Sequence, residues 1–339
     1  MTPDLEGWMP ARIHVDGGQP RVDWCHMGGQ RFTDPFFDET LERRLRHPFA
    51  LLFRHQTSMD ALVARQAEKP GLPVRGLVFH MSRCGSTLVA QLLAALPRHV
   101  VLSEAGPVDT VLRAHQHLPG VTDTQRIEWL RAVVGALGQQ RHPEEHAVFL
   151  KLDAWHTLEL PLLQRAFPGV PWMFLYRDPV EVMASHQNHR GAHMLPGLLN
   201  PAHLGLEPGQ LEGMPLDEYG ARVLAAICDA GLQGYRARTA QARLMDYRQL
   251  QPEGLRVLTE LFALELKAED TPRLRDVLER NAKNPVLPFE DDTEEKSRCV
   301  SSNGRALAEQ WGRHIHDALE AERERADHKF HLKSLAPPE

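Results

Sequence analysis

The sequence has few cysteines and no long apolar segment. Its four cysteines, Cys25, Cys84, Cys228 and Cys299, form no CxxC pair, which argues against a disulfide framework and against a Cys-rich zinc site. No apolar run reaches the ~18 residues of a membrane span, and the first residues lack the pattern of a signal peptide. We therefore expect a cytoplasmic protein that is neither exported nor membrane-spanning.

An excess of positive charge is also absent. The formal net charge is −6, which argues against a general nucleic-acid binder, because such proteins need a dense basic surface. Hydrophobic residues make up 42% and charged residues 25%, close to the globular average, so the composition indicates a folded chain without indicating its class. The 339 residues predict one large α/β domain with a smaller attached segment.

Residues 1–70 differ in pattern from the rest of the chain. RIHV and RVDW flank a Gly-rich turn, which predicts a β-hairpin. Asp34 and Pro35 then predict the cap and first turn of a helix that carries Phe36. The segment KPGLP breaks the pattern, so we expect a linker there and a main domain over residues 71–339.

From Val74 onward, apolar runs alternate with helical patterns. The runs GLVF, HVVLS, AVFLKL, WMFLY and ARLMDY predict strands, and the segments between them predict helices. This alternation implies an α/β fold with a parallel sheet flanked by helices. A polar stretch rich in Pro and Gly near residues 191–218 interrupts the pattern, and loops of this length are usually functional, so we expect a lid.

The segment GLVFHMSRCGSTLVAQLLAAL places a strand, a tight turn and a helix in succession. Unpaired N–H groups at a helix N-terminus surround an anion readily, so His80 to Thr87 predicts a phosphate or sulfate loop. Ser86 and Thr87 add hydroxyl donors, and Arg83 adds a positive charge. No lysine follows Gly85, so the loop is not a Walker A sequence. An ordinary turn capped by Gly, Ser and Thr is the simpler interpretation of this segment alone.

Two motifs resemble those of sulfotransferases. SRCGSTL is similar to their 5′-phosphosulfate loop, with Arg83 in the basic position and Cys84 as a departure from the commonest residue. FLYRDPVEVMAS is similar to their second motif, in which an arginine ends a strand and a serine follows eight residues later. The resemblance implies a three-layer P-loop-type fold, the donor 3′-phosphoadenosine 5′-phosphosulfate, and Arg177 and Ser185 as holders of its 3′-phosphate. Taken alone, Arg177 equally fits a strand-end arginine paired with a nearby aspartate.

The resemblance extends over roughly residues 74–315 and implies further cofactor contacts. MDYRQLQPEGLRVLTELFAL is similar to a tyrosine-containing strand and helix of that family, and KSRCVSSNGRAL offers a basic residue to the 3′-phosphate. The expected cofactor-binding residues are Arg83, Cys84, Gly85, Ser86, Thr87, Arg177, Ser185, Tyr247 and Arg298. The acceptor would be a hydroxyl group of a small molecule, glycan or peptide, and the sequence does not distinguish among these.

Sulfuryl transfer needs a base for the acceptor proton and a cation for the leaving group, but no metal. Glu104 resembles the catalytic glutamate of tyrosylprotein sulfotransferases, whereas Asp153 in FLKLD stands where cytosolic sulfotransferases carry a histidine. We prefer Glu104 as the base, because burial tunes the pKa of a glutamate toward neutrality. Lys151 and Arg83 are the expected cationic catalytic groups.

Two other functions stay open on the sequence. The run VFLKLD also fits a strand that ends in a magnesium-binding aspartate, which would make the chain a small-molecule kinase that uses ATP. A noncatalytic nucleotide-binding protein would keep the same phosphate loop. His186, His189 and His193 have helical spacing but no matching carboxylate or cysteine pattern, so we expect polar residues around a cleft rather than a metal site.

Overall fold

A computed structural model describes residues 4–237, 241–288 and 300–334 of the chain. The N-terminal segment begins with the strands β1 (Trp8–Asp16) and β2 (Gln19–His26), which pair antiparallel about a turn at Gly17 and Gly18. Both glycines have positive φ, +56° and +76°, which side chains with a Cβ disfavour. The predicted hairpin is confirmed, and β3 (His55–Ser58) adds a third strand beside β2.

Three helices complete the N-terminal segment: α1 (Phe37–Leu45), α2 (Pro48–Leu52) and α3 (Met59–Glu68). The predicted cap of α1 is wrong, because the helix begins at Phe37 with Phe36 in the cap position. Asp34 instead pairs with Arg43 and accepts a hydrogen bond from Thr40. Phe36 lines a pocket of the main domain, so it contributes to the site.

The main sheet has five parallel strands in the order β5-β6-β4-β7-β8. Its strands are β4 (Val74–His80), β5 (His99–Ser103), β6 (Ala147–Lys151), β7 (Trp172–Tyr176) and β8 (Ala242–Asp246). All residues of β5, β6 and β7 are buried, because helices flank the sheet. Burial on both faces explains why continuous apolar runs predicted these strands correctly.

The helices that connect and flank the sheet follow the predicted alternation. They are α4 (Ser86–Ala94), α5 (Gly106–Leu112), α6 (Ala114–His117), α7 (Asp123–Leu137), α8 (Leu160–Ala166), α9 (Pro179–Asn188), α10 (Leu216–Ala237), α11 (Leu250–Phe262), α12 (Thr271–Glu279) and α13 (Ser302–Ser334). Within the described ranges no helix is long and apolar enough to cross a membrane. The α/β class, with a parallel sheet flanked by helices and an antiparallel N-terminal segment, is confirmed.

The strand order creates a crevice at the carboxyl ends of β4 and β7. From β4 the chain crosses to β5 at one edge of the sheet, whereas from β7 it continues to β8 at the opposite edge. Neighbouring strands whose connections diverge leave an opening above the sheet, where ligands of open α/β folds bind. The predicted anion loop follows β4 and Arg177 follows β7, so both stand at this opening.

Two connections lie over the same edge. The stretch predicted as a lid contains the short 3-10 helices Ala192–Met194, Pro201–Leu204 and Pro208–Leu211. A small antiparallel pair that the sequence did not reveal, β9 (Arg280–Asn281) and β10 (Asn284–Pro288), follows α12. Residues from the start of the first stretch and from the β9–β10 turn line the pocket described below.

Candidate functional site

A pocket of about 820 Å³ opens at the carboxyl ends of the sheet strands. Its volume lies within the roughly 300–1,000 Å³ typical of small-molecule and cofactor sites. The pocket brings together nearly all the predicted site residues: Arg83, Cys84, Gly85, Ser86, Thr87, Glu104, Lys151, Asp153, Arg177, Ser185 and Tyr247. Arg298 lies outside the described residues.

The loop after β4 is held in an unusual backbone conformation. Ser82, Arg83 and Gly85 have φ values of +85°, +53° and +81°, which turn the chain tightly before α4 begins at Ser86. A Cβ on Gly85 would lie 2.2 Å from Leu250 Cδ1 and 3.1 Å from Tyr247 Cδ2. Only glycine fits there, and the turn leaves the first N–H groups of α4 at the pocket, as an anion cradle requires.

Cys84 and Arg83 point in different directions from this loop. The Cys84 thiol is fully buried and donates to the Leu175 carbonyl at 3.3 Å. Burial raises the pKa of Cys84 to about 11, so the thiol is neutral and this position serves the loop through its backbone. The Arg83 guanidinium lines the pocket and donates to the His189 carbonyl at 2.7 Å.

The second predicted motif forms a cationic wall of the pocket. Arg177 is 5% exposed, its Nε donates to Glu181 Oε2 at 2.5 Å, and its guanidinium stacks 4.0 Å from the centre of the Tyr247 ring. The nearby Asp178 caps α9 and pairs with Arg313, and the carboxylate that pairs with Arg177 is that of Glu181, so an ion pair holds Arg177 as the alternative interpretation requires, with glutamate in place of aspartate. Ser185, two turns along α9, lines the same pocket.

The ends of β5 and β6 place Glu104 beside Lys151. The Lys151 ammonium, 2% exposed, forms an ion pair with Glu104 Oε1, and His80 Nε2 lies 3.5 Å from the same oxygen. Burial opposes ionisation of Glu104, but the charge of Lys151 and the hydrogen bond from His80 outweigh it and hold the pKa of Glu104 well below its usual range. Glu104 is therefore an ionised partner of Lys151 and a weak proton acceptor.

Asp153 differs from Glu104 in that its pKa is raised and not lowered. It is 7% exposed, lines the pocket and follows β6 by two residues. Burial raises the pKa of Asp153 to about 7, and the charges of Glu104 and Asp109 push in the same direction. A carboxylate with a pKa near neutral pH is a much stronger proton acceptor than an ordinary aspartate and is still ionised in a large fraction of molecules.

Several pocket residues were not predicted as site residues. Phe36 places its ring 5.1 Å from the Lys151 ammonium, and Trp155 lies beside Asp153 at the start of the 3-10 helix Ala154–Glu159. Arg280 is the first residue of β9, and Lys283 lies in the turn between β9 and β10. In the sequence, the only signal for Arg280 and Lys283 was a basic residue at a turn. The strands β9 and β10 are short and have no apolar pattern, so the two residues could not be recognised as part of the site.

The three histidines with helical spacing, at the end of α9 and the start of the predicted lid stretch, divide between pocket and surface. His186 and His193 are 1% and 4% exposed, line the pocket and lie with ring centres 5.4 Å apart. Burial lowers the pKa of His186 to about 2 and that of His193 to about 4, so both imidazoles are neutral. His189 is exposed.

Two groups of side chains in the described ranges have ligand atoms close enough for one metal ion. Asp109, Asp153 and His156 form one group, and Asp246, His316 and Glu320 form the other. Arg113 already binds both oxygens of the Asp109 carboxylate, and guanidinium groups of Arg248 and Arg323 bind Glu320. Fixed cations at these oxygens favour hydrogen-bond networks over divalent-cation sites.

The following similarities to known proteins were found. No protein-family model and no curated protein matches the chain. Among solved structures, the chain is similar to the sulfotransferase domain from the curacin biosynthetic pathway, with 16% identity over 71% of this chain and 98% of that chain and a TM-score of 0.42. It is similar to sulfotransferase STF9 from Mycobacterium avium, with 16% identity over 77% and 82% and a TM-score of 0.44. It is also similar to mouse sulfotransferase SULT7A1 complexed with PAP, with 14% identity over 82% and 95% and a TM-score of 0.37.

These identities and TM-scores are low.

Proposed function

We propose that this chain is a sulfotransferase that moves a sulfuryl group from 3′-phosphoadenosine 5′-phosphosulfate to a hydroxyl acceptor by in-line displacement. The observation that carries the proposal is the meeting of two anion-binding groups in one pocket: the loop before α4, and the pair formed by Arg177 and Ser185. A nucleotide with separate 5′ and 3′ phosphate groups needs two such anchors. Tyr247, stacked on Arg177, adds an aromatic face at the second anchor.

The pocket fits this donor in its local chemistry. The tight turn at Gly85 has no room for a Cβ, as expected where backbone N–H groups must converge on an anion. Ser86 and Thr87 begin α4 and would add hydroxyl donors, and Arg83 supplies a nearby charge. The bound donor would supply the sulfuryl group, and no metal ion is needed for that chemistry.

The two carboxylates of the pocket have different roles in the proposed reaction. We assign the acceptor proton to Asp153, because its raised pKa of about 7 suits a general base, whereas Glu104 is held ionised by Lys151. Lys151 would stabilise the charge that develops on the leaving phosphate oxygen, with Glu104 orienting its ammonium. This reverses the preference that the sequence alone suggested.

Calorimetric titration tests the donor assignment. We expect adenosine 3′,5′-bisphosphate to bind more tightly than adenosine 5′-monophosphate, because only the former engages Arg177 and Ser185. Ser185→Ala should reduce that preference while leaving the monophosphate affinity nearly unchanged. Binding of ATP with magnesium, together with no binding of the bisphosphate, would identify a kinase instead.

An acceptor screen with labelled 3′-phosphoadenosine 5′-phosphosulfate tests the reaction itself. Small-molecule, glycan and peptide hydroxyls are separate arms of the screen. If a transfer activity is found but neither Asp153→Asn nor Glu104→Gln reduces it, the proposed base is wrong. Bisphosphate binding without transfer to any acceptor would favour a noncatalytic nucleotide-binding protein. We also propose a cytoplasmic location, which the free thiols of Cys25, Cys84 and Cys228 support.

A further inference from the structure

Asp109 lies behind the pocket and connects three other side chains. It belongs to α5, and its carboxylate receives hydrogen bonds from Trp155 Nε1 at 2.8 Å and His156 Nε2 at 2.9 Å, both at Oδ1. Arg113 holds both carboxylate oxygens, with Nε 2.9 Å from Oδ2 and 3.0 Å from Oδ1. Burial opposes ionisation of Asp109, but these donors, led by His156, outweigh it and hold the pKa of Asp109 well below its usual range.

His156 lies between Asp109 and Asp153 with a defined tautomer. Its ring is 1% exposed, and its Nδ1 accepts the backbone N–H of Asp153 at 3.2 Å. A nitrogen that accepts a hydrogen bond carries no proton, so in this geometry the ring proton is on Nε2. That N–H donates to Asp109 and stands 3.6 Å from Asp153 Oδ2. Burial opposes protonation of the ring, but the charges of Asp153 and Asp109 and the hydrogen bond to Asp109 outweigh it and raise the pKa of His156. The imidazole thus fixes the backbone of Asp153 and presents a donor beside its carboxylate.

The same carboxylate fixes a wall of the pocket. The Trp155 indole lines the pocket beside Asp153, and its N–H is held by Asp109. The opposite side of the indole system packs near His193, with ring centres 5.3 Å apart at a tilt of 36°. The buried carboxylate of Asp109 therefore restrains Trp155, which forms a wall of the pocket. It also restrains His156, which in turn restrains Asp153.

We propose that Asp109 and His156 are positioning residues that act as a pair, with Asp109 orienting Trp155 against the acceptor and His156 controlling Asp153 as the proton acceptor. The inference rests on the proposed function, because Asp153 is assigned as the base there. Neither Asp109 nor His156 is among the residues lining the pocket, so both act through the residues that do.

The charged and titratable groups around Asp153 determine in which direction Asp109 and His156 each shift its pKa. Four groups face it: His156 from its own 3-10 helix, Asp109 from α5, Glu104 after β5 and Lys151 at the end of β6. Burial raises the pKa of Asp153, the two carboxylates raise it further, and His156 and Lys151 lower it. Removing the charge of Asp109 should lower the pKa of Asp153, whereas removing the imidazole N–H should raise it.

Asp109→Asn and His156→Phe form the central experiment. Asparagine can keep Oδ1 as the acceptor for Trp155 and His156 while the charge is lost, and phenylalanine keeps a ring without a donor. Infrared titration follows the protonated carboxyl band of Asp153, identified by its absence in Asp153→Asn. We expect the midpoint to fall by about one pH unit in Asp109→Asn and to rise by about one unit in His156→Phe. The acid limb of the kcat/KM profile, where the rate rises with pH as Asp153 ionises, should move with both midpoints.

Two further variants keep this test interpretable. Glu159→Gln removes a carboxylate that pairs with Arg126 at 2.8 Å, in the same segment but outside the pocket, and should leave the midpoint unchanged. If His156→Phe does not fold, His156→Gln, which can restore one N–H, should show a smaller upward shift. Midpoints that stay fixed in Asp109→Asn and in the His156 variant, or that shift in the same direction, would overturn the proposal.

Acceptor kinetics test the role assigned to Trp155. Asp109→Asn keeps an oxygen for the indole and should leave the acceptor KM near the wild-type value, whereas Asp109→Ala releases the indole and should raise KM several-fold. Equal KM values in the two variants would contradict that role.

The infrared measurement needs neither donor nor acceptor, so it separates this inference from the proposed function. Opposite shifts in a protein that transfers no sulfuryl group would support the coupling and refute the proposed function. Fixed midpoints in a protein whose transfer requires Asp153 would do the reverse.

Discussion

Two carboxylates of the pocket that are influenced by the same lysine, Lys151, have pKa values shifted in opposite directions. Glu104 shares an ion pair with Lys151 and is close to His80, and both hold its pKa well below the usual range although burial opposes this. Asp153 is buried with His156 Nε2 3.6 Å from its Oδ2, and burial outweighs the opposing effect of His156 and raises the pKa of Asp153 to about 7. Such separation of neighbouring carboxylates is a common way to assign acid–base roles.

The first prediction concerns the pH dependence of the wild-type reaction. Asp153 must be ionised to accept a proton, so kcat/KM should increase as pH rises through about 7. Asp153→Asn should lower kcat by about 10²–10⁴-fold and abolish this acid limb. In Glu104→Gln the limb should persist and move to lower pH, because a negative neighbour of Asp153 is lost. A limb that disappears in Glu104→Gln but not in Asp153→Asn would return the base role to Glu104.

The second prediction concerns Arg177. Its guanidinium is fixed by Glu181 and stacked on Tyr247, a planar arrangement that a lysine ammonium does not reproduce. Arg177→Lys should weaken binding of adenosine 3′,5′-bisphosphate by about tenfold or more, equivalent to about 1.4 kcal/mol, as measured by calorimetric titration. Arg131→Lys is the matched control, because Arg131 binds the Ala166 and Arg165 carbonyls away from the pocket. Equal losses in the two variants would point to a general effect of arginine removal.

At the scale of single elements, the turn between β4 and α4 combines backbone strain with close packing. Ser82 and Arg83 have positive φ although neither is a glycine, a conformation that costs about 1–2 kcal/mol per residue. The third residue with positive φ in this turn is Gly85, which adopts that conformation without the cost. Its lack of a Cβ leaves room for Leu250 and Tyr247. The loop before α4, which is the predicted anion site, is thus packed against the segment after β8.

The third prediction compares two glycines that share the same backbone conformation. Gly85 has φ +81° and a neighbour 2.2 Å from its missing Cβ, whereas Gly169 has φ +74° and no neighbour within 4 Å. Gly169→Ala should cost only the conformational term, about 1 kcal/mol of unfolding free energy. Gly85→Ala should cost more and should also abolish bisphosphate binding. Urea unfolding and calorimetric titration measure the two effects, and normal binding in Gly85→Ala would show that the loop does not hold the anion.

The same scale explains which elements could be predicted from the sequence. The strands β4 to β8 are buried on both faces and appear as apolar runs, whereas β3 is the polar tetrapeptide HQTS and has no such pattern. Residues at or just after the end of a buried strand, such as Lys151, Asp153 and Arg177, could be placed at the site because the carboxyl ends of parallel strands meet at one edge of a sheet. The raised pKa of Asp153 could not be predicted, because beyond its burial it depends on Glu104 and Asp109 from other elements.

At the scale of the whole molecule, the N-terminal segment is joined to the sheet domain by buried polar contacts. β1 packs against α5, the helix that carries Asp109, and α3 packs against α7. The Ser103 hydroxyl at the end of β5 donates to the Pro35 carbonyl at 2.8 Å. Phe36 reaches the pocket itself. These contacts connect the segment over residues 1–70 to the site, although the sequence pattern changes at that boundary.

Arg31 makes a further connection between the N-terminal segment and the sheet and is the subject of the fourth prediction. Its Nη2 donates to the carbonyls of Ala94, Leu96 and His99 at 3.3, 3.1 and 3.2 Å, where α4 leads into β5. Arg31→Ala leaves these carbonyls without their charged donor and should lower the unfolding free energy by about 2–3 kcal/mol. In wild type we expect one cooperative urea transition, coincident by tryptophan fluorescence and circular dichroism, because the segment and the sheet share this contact. Arg12→Ala, at an exposed position of β1, should cost less than about 0.5 kcal/mol. Two separate wild-type transitions would instead indicate that residues 1–70 fold as an independent unit.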